Sequence, residues 1–224
     1  MCATDTCPTP LDGAALAATW DAAWSSLGWP APACLRAELM AAWSEPHRHY
    51  HDHRHLREGL ALWMRWRGHI ERPAEVAIAL WFHDATYVPQ APQAPSDELT
   101  SATWAARSLV RAGADSDTAP SVHDLVMSTK HDAPATLGAS PDAQLLVDID
   151  LSILGSPSER FERCCEDVRK AYGDVPRTRY REARARVLQS FLDRPRLYHG
   201  EHAVALFEAQ ARINLTAALL RRAQ

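Results

Sequence analysis

The chain has 224 residues, enough for one large domain or two small ones with a real buried core. Hydrophobic residues make up 46% and charged residues 23%, the balance of an ordinary soluble globular protein. The net charge of -4 supplies no basic excess for a nucleic-acid or membrane surface, yet an anionic substrate stays possible because a bound dication inverts the local sign.

The opening stretch MCATDTCPTPLDG has neither the basic nor the apolar segment of a signal peptide, and residues 1–10 read as a disordered leader. Beyond it, helical periodicity predicts helices over about 12–27, 31–44, 51–67, 73–86, 97–113, 120–130, 142–153, 157–172, 177–193 and 199–222. Pro73 and Pro157 suit first helical turns, while Ser121, Asp142 and Ser156 are expected N-caps. The segment VPQAPQAPSD (88–97) is too rich in proline for a helix and predicts an exposed loop. Only LLVDIDLSIL (145–154) is ambiguous, because its β-branched residues would also suit a strand. In the last helix, Val204, Phe207, Ala211, Leu215 and Ala218 form one apolar stripe. No repeat or linker divides the chain, so one all-α domain over 11–224 is expected. No apolar run reaches 18 residues, which predicts no membrane span. Cys2, Cys7, Cys34, Cys164 and Cys165 lack paired C-x-x-C spacing and indicate neither a disulfide framework nor a zinc knuckle. A cytoplasmic location is the expectation.

Histidine carries the chemical signal. HRHYHDHRH places His47, His49, His51, His53 and His55 within nine residues. A helix beginning near His51 would set His51 and His55 one turn apart on one face, as paired metal ligands require, with His53 pointing away. A solvated polar helix start explains the same run without a metal. His-Asp occurs four times, at His51-Asp52, His83-Asp84, His123-Asp124 and His131-Asp132. Only His83-Asp84 ends an apolar helix, EVAIALWF, where an imidazole and a carboxylate need a partner such as a divalent cation, a mutual side-chain pair or a cap. Asp148 and Asp150 stand likewise inside an apolar run, where one can face a metal or either can cap or meet water. STKHDAP adds Thr129, Lys130 and His131 after another apolar helix, suited to phosphate oxygens or to a leaving group. Tyr50, Trp81 and Tyr87 can stack on a ring or simply be core.

His55, His83-Asp84 and Asp150, in that order on a helical chain, resemble the HD superfamily of metal-dependent phosphohydrolases over roughly residues 48–155. YHDHRH (50–55) also looks like the YHNxxH helix of cyclic-nucleotide phosphodiesterases. That likeness implies His51 as general acid and His55 as metal ligand, with Asp52 in place of the usual Asn. DLS (150–152) is similar to the stretch that bears the final metal-binding aspartate, which favours Asp150 over Asp148. RHYH, WFHDATY, DELTSA, STKH, DIDLSILG and ARINL resemble the recurring phrases of a bacterial subgroup of predicted HD phosphohydrolases over about 12–220, where Asp97-Glu98 replaces the usual Asn-Glu.

The resemblance implies an HD-type bundle, with a metal-site core over about 48–155 and supporting helices over 156–222. His55, His83, Asp84 and Asp150 would hold a divalent metal, with Mn, Fe, Co, Ni, Zn and Mg all open. The metal would activate water against phosphorus, Asp84 or Asp150 would help orient it, and protonated His51 would serve the leaving oxygen. Lys130 would contact phosphate, with Glu98, His131 and Asp148 as secondary candidates. The expected substrate class is a small phosphate ester such as a nucleotide. The charge argues against a long nucleic acid, and a homo-oligomer is left open. The alternatives are an HD-type di-iron oxygenase drawing on His131 and on His47 or His49, a non-catalytic metal- or nucleotide-binding sensor, and a bundle whose His and Asp are incidental.

Overall fold

The structure is a computed structural model and describes residues 9–89, 96–131 and 140–221. Most of the proline-rich segment, the leader up to residue 8 and Asp132 of the fourth His-Asp pair lie outside the described residues. The described residues are all-α, with no strand among them. LLVDIDLSIL is helix, then a short 3-10 turn over Leu151–Gly155.

Two compact units are built on Thr9–Val147 and Asp148–Gln224. The first contains α1 (Gly13–Ser26), α2 (Ala33–Ala42), α3 (His53–Trp66), α4 (Pro73–Phe82), α5 (Asp97–Ala112) and α6 (Thr118–Met127). The division falls inside α7 (Pro141–Asp150), so no loop or change of composition marks it.

The middle of the first unit is α4, which packs against α1, α3, α5 and α6. Its residues Glu75 to Phe82 are all buried, so the helix is apolar all round instead of striped. Pro73 opens it at the first helical position, as expected. Trp81 anchors it. The Trp81 ring meets Trp20 nearly edge-on at 5.2 Å, its indole N–H donates to the Thr19 hydroxyl, and its carbonyl accepts from the Trp43 indole. Asp12 caps α1 through the Ala15 amide, and Ser96 caps α5 through the Leu99 amide. Gly113 closes α5 at φ 92°, a left-handed conformation that a side chain would strain.

The expected caps move. Ser121 lies inside α6 and donates to the buried Glu75 carboxylate, which needs that partner more than the helix needs a cap. Asp142 sits within α7 and accepts from the Glu71 and Arg72 amides at 2.8 Å each, so it caps α4 from a distance. Ser156 bonds back to the Ile153 carbonyl, and Pro157 is the N-cap of the next helix.

The second unit contains the 3-10 turn, α8 (Ser158–Ala171), α9 (Arg177–Leu192), α10 (Glu201–Ala203), a π stretch over Val204–Glu208 and α11 (Ala209–Leu220). The wider π turn adds a residue to the repeat. Phe207, Ala211, Leu215 and Ala218 are buried as expected, but Ala203 is buried where Val204 is only partly so. The helix Glu201–Leu220, at 20 residues and mean hydropathy 1.2, is long and apolar enough to cross a membrane. Its polar residues nevertheless serve the unit's own packing. The buried Asn214 amide donates to the Leu154 and Ser156 carbonyls, and Arg212 binds Glu208 and the Leu192, Arg194 and Pro195 carbonyls. Asn214 and Arg212 therefore hold the two turns that α11 passes.

Gly155 lies against the π stretch. A Cβ there would stand 2.5 Å from Phe207 Cβ and 2.6 Å from its carbonyl oxygen, and backbone cannot swing aside as a flexible side chain can. Gly155→Ala is expected to cost about 1–3 kcal/mol, read as a lower urea midpoint at unchanged slope. An unmoved midpoint would mean that the two segments separate freely.

Candidate metal centre

The apolar residues of α4 deliver its polar end into the interior. His83 is the C-cap residue and only 3% exposed. Its Nδ1 lies 2.8 Å from the Leu80 carbonyl oxygen. A carbonyl only accepts, so Nδ1 carries a proton there and Nε2 is the nitrogen that faces inward. The Trp43 ring packs 5.6 Å from the imidazole and restricts its tilt.

α3 supplies the second histidine. Its N-cap is Asp52, whose carboxylate accepts from the Arg54 and His55 amides. An aspartate is as good a cap as an asparagine and favours the positive end of the helix dipole. The helix thus starts at His53, two residues later than predicted, and His51 occupies the preceding turn. His51 and His55 still come together, with ring centres 5.9 Å apart. His51 is framed by Tyr50 at 4.8 Å and Tyr87 at 4.4 Å. Tyr50, Tyr87 and Trp81 are all buried, Trp81 most completely.

His55, 5% exposed, places Nε2 3.1 Å from His83 Nε2 and 3.5 Å from Asp84 Oδ2. His83 Nε2 is 3.3 Å from the same carboxylate oxygen. Donor atoms of all three residues lie within 4.8 Å of one another. Two imidazole nitrogens and a carboxylate converging away from bulk water suit a divalent cation, and this mixed set does not select among Mn, Fe, Co, Ni, Zn and Mg. Burial by itself would raise the Asp84 carboxyl. The charges of His83, His51 and His55, with the His83 hydrogen bond, outweigh burial and hold it well below the usual carboxylate range.

The other histidines of the run go elsewhere. His53 reaches the Ser44 hydroxyl and the Met40 carbonyl, pointing away as predicted. His47 bonds the Tyr87 carbonyl and His49 is exposed. His123 pairs with Asp124 at the surface.

Arg48 is the residue the sequence reading missed, although it opens the RHYH phrase. It is 6% exposed and donates to the Asp84, Ala85 and His51 carbonyls at 2.6, 2.8 and 3.1 Å. Glu45 balances its charge, and its guanidinium lies over the Trp43 and Tyr87 rings. It joins the turn carrying His51 to the turn carrying Asp84.

On the α5 side, Asp97 accepts from the Val88 amide and Ser101 from the Thr86 amide, fixing the chain beyond Asp84. Burial raises the Asp97 carboxyl, the Val88 bond opposes the rise, and the charges of Glu98 and Asp84 add to it. Glu98 is half-buried in the first turn of α5. Lys130 and His131 are half-buried in the turn after α6, and His131 is not among the converging ligands. Asp148 is turned to another task, contrary to its secondary candidacy. Its carboxylate accepts from the His199 and Gly200 amides and from the His199 ring, capping α10. Asp150 is the half-buried last residue of α7.

Comparison with protein-family profiles, with curated proteins and with solved structures finds no match to this chain.

Arg48→Met would strand three carbonyls, and a loss of about 3–5 kcal/mol is expected in urea unfolding. A loss below about 1 kcal/mol would show that water replaces the guanidinium. Asp97→Asn keeps the acceptor for Val88 and removes a charge that disfavours folding. Because the folded carboxyl titrates above the unfolded one, its penalty is present at neutral pH and vanishes below the unfolded value near 3.8. The metal-free variant should therefore gain a few tenths of a kcal/mol at pH 7, shrinking toward pH 4. A gain independent of pH would refute this origin.

Proposed function

We propose that the chain is a metal-dependent hydrolase of small phosphate esters, of the HD type that its sequence resembles. The observation that supports this most is the convergence of His55, His83 and Asp84 with His51 alongside. These three residues hold the cation, and Asp150 is assigned as the fourth ligand from the order of the motif residues along the chain. A cation in that position supplies Lewis-acid activation of water and neutralises phosphate charge.

The chain's own groups do the rest. The depressed Asp84 carboxyl stays ionised across the working pH range and orients the attacking water by accepting its proton in a hydrogen bond. As water's oxygen bonds to phosphorus, the ester P–O bond breaks and protonated His51 passes its proton to the departing oxygen. Tyr50 and Tyr87 hold the His51 ring in one orientation for that transfer. Lys130 is assigned to the phosphate oxygens, His131 to a second metal and Glu98 to support of the ligands. A di-iron oxygenase would need further ligands, whereas His47 bonds the Tyr87 carbonyl and His49 is exposed.

Metal analysis of untagged protein beside His83→Ala tests the centre, followed by phosphate release from small esters with Mn, Co, Ni or Mg. The expected outcome is bound metal that disappears in the variant while helicity persists. His51→Gln should keep its metal and lose about 10²–10⁴-fold in kcat. No metal in either protein, and no change in melting temperature with any of these cations, would defeat the reading.

A further inference from the structure

Along one face of α5 runs a groove of about 470 Å³ lined by Thr86, Leu99, Thr100, Thr103, Trp104, Arg107 and Arg111. Its near end is Thr86, two residues beyond Asp84 and fixed by its amide bond to Ser101. Its far end is Arg107 and Arg111, one turn apart on the same face. Between them Trp104, half-buried and edge-on to Phe82 at 5.7 Å, offers a fixed ring. No carboxylate among the described residues pairs with either arginine, whereas Arg48, Arg54, Arg72 and Arg212 are all salt-bridged. Two exposed guanidiniums beside an aromatic ring form a site for a planar group bearing an anion.

We propose that this groove is a specificity subsite, taking a planar ring on Trp104 and a second anionic group, carboxylate or phosphate, on Arg107 and Arg111. It rests on the hydrolase reading, for it makes the preferred substrate a phosphate ester with a second negative charge beyond its ring. From Ser101 to Arg107 is about 9 Å along the helix, the length of a carboxylated phenyl phosphate. Single-phosphate esters fill only the near end.

Two probes separate the subsite from the hydrolase. Terephthalate, a ring with two carboxylates and no phosphate, is titrated by NMR into metal-free protein. Saturable binding is expected, weakened at least about fivefold in the double variant Arg107→Ala/Arg111→Ala. That variant changes only exposed side chains, so its fold should persist, and Trp104→Phe should retain binding. No saturable binding, or binding unchanged in the double variant, overturns the subsite whatever the ester assays give. The second probe compares 4-carboxyphenyl phosphate with phenyl phosphate in the metal-loaded enzyme. A KM at least about fivefold lower for the carboxylated ester, abolished by the double variant at unchanged kcat, is expected. Equal KM values overturn the link to the site. Terephthalate binding with neither ester hydrolysed would retain the groove and reject the hydrolase.

Discussion

A guanidinium out of reach of water persists only where acceptors surround it, and Arg48 is so placed. Its three carbonyl partners are backbone atoms, so what it fixes is the course of the chain and not a side-chain rotamer. A lysine would carry the charge but not the planar fork that reaches the Asp84 and Ala85 carbonyls together. The stacked Trp43 and Tyr87 rings limit its rotation, and those rings also touch His83 and His51. The positions of His51 and of the Asp84 carboxylate are thereby coupled through one side chain that bonds only their backbone.

The second constraint is the full burial of α4. Burial at all its faces leaves the helix no surface on which to rotate, so the direction of its last residues is set by packing. That rigidity makes it possible to hold two imidazole nitrogens 3.1 Å apart. Ring nitrogens this close would move apart in a pliable site, and the same histidines hold the Asp84 carboxyl below the usual carboxylate range.

How far residues could be read in advance depended on the range of their partners. His83-Asp84 was legible because its anomaly is local, a polar pair at the end of an apolar run. His55 was legible from spacing, although His51 joins it from a turn and not from the helix face that spacing implied. Arg48 was not, since the Asp84 and Ala85 carbonyls lie 36 and 37 residues away and an arginine in a histidine-rich run looks like a solvated charge. Ser121 looked like a cap because nothing nearby reveals that Glu75, 46 residues earlier, is buried and needs a donor. The π stretch was hidden for another reason, since one added residue barely disturbs an apolar stripe. The boundary inside α7 leaves no compositional trace at all.

Asp142 has a consequence for the order in which the molecule is made. The amides of Glu71 and Arg72 find their acceptor 71 and 70 residues further along the chain. At a synthesis rate of about 5–20 residues per second, that carboxylate leaves the ribosome roughly 4–14 s after the amides it serves. During this interval α4, the most apolar helix of its unit, has an unfinished start. A growing chain stalled before residue 142 would already hold the helices that cover α4 and would lack only the acceptor for these two amides.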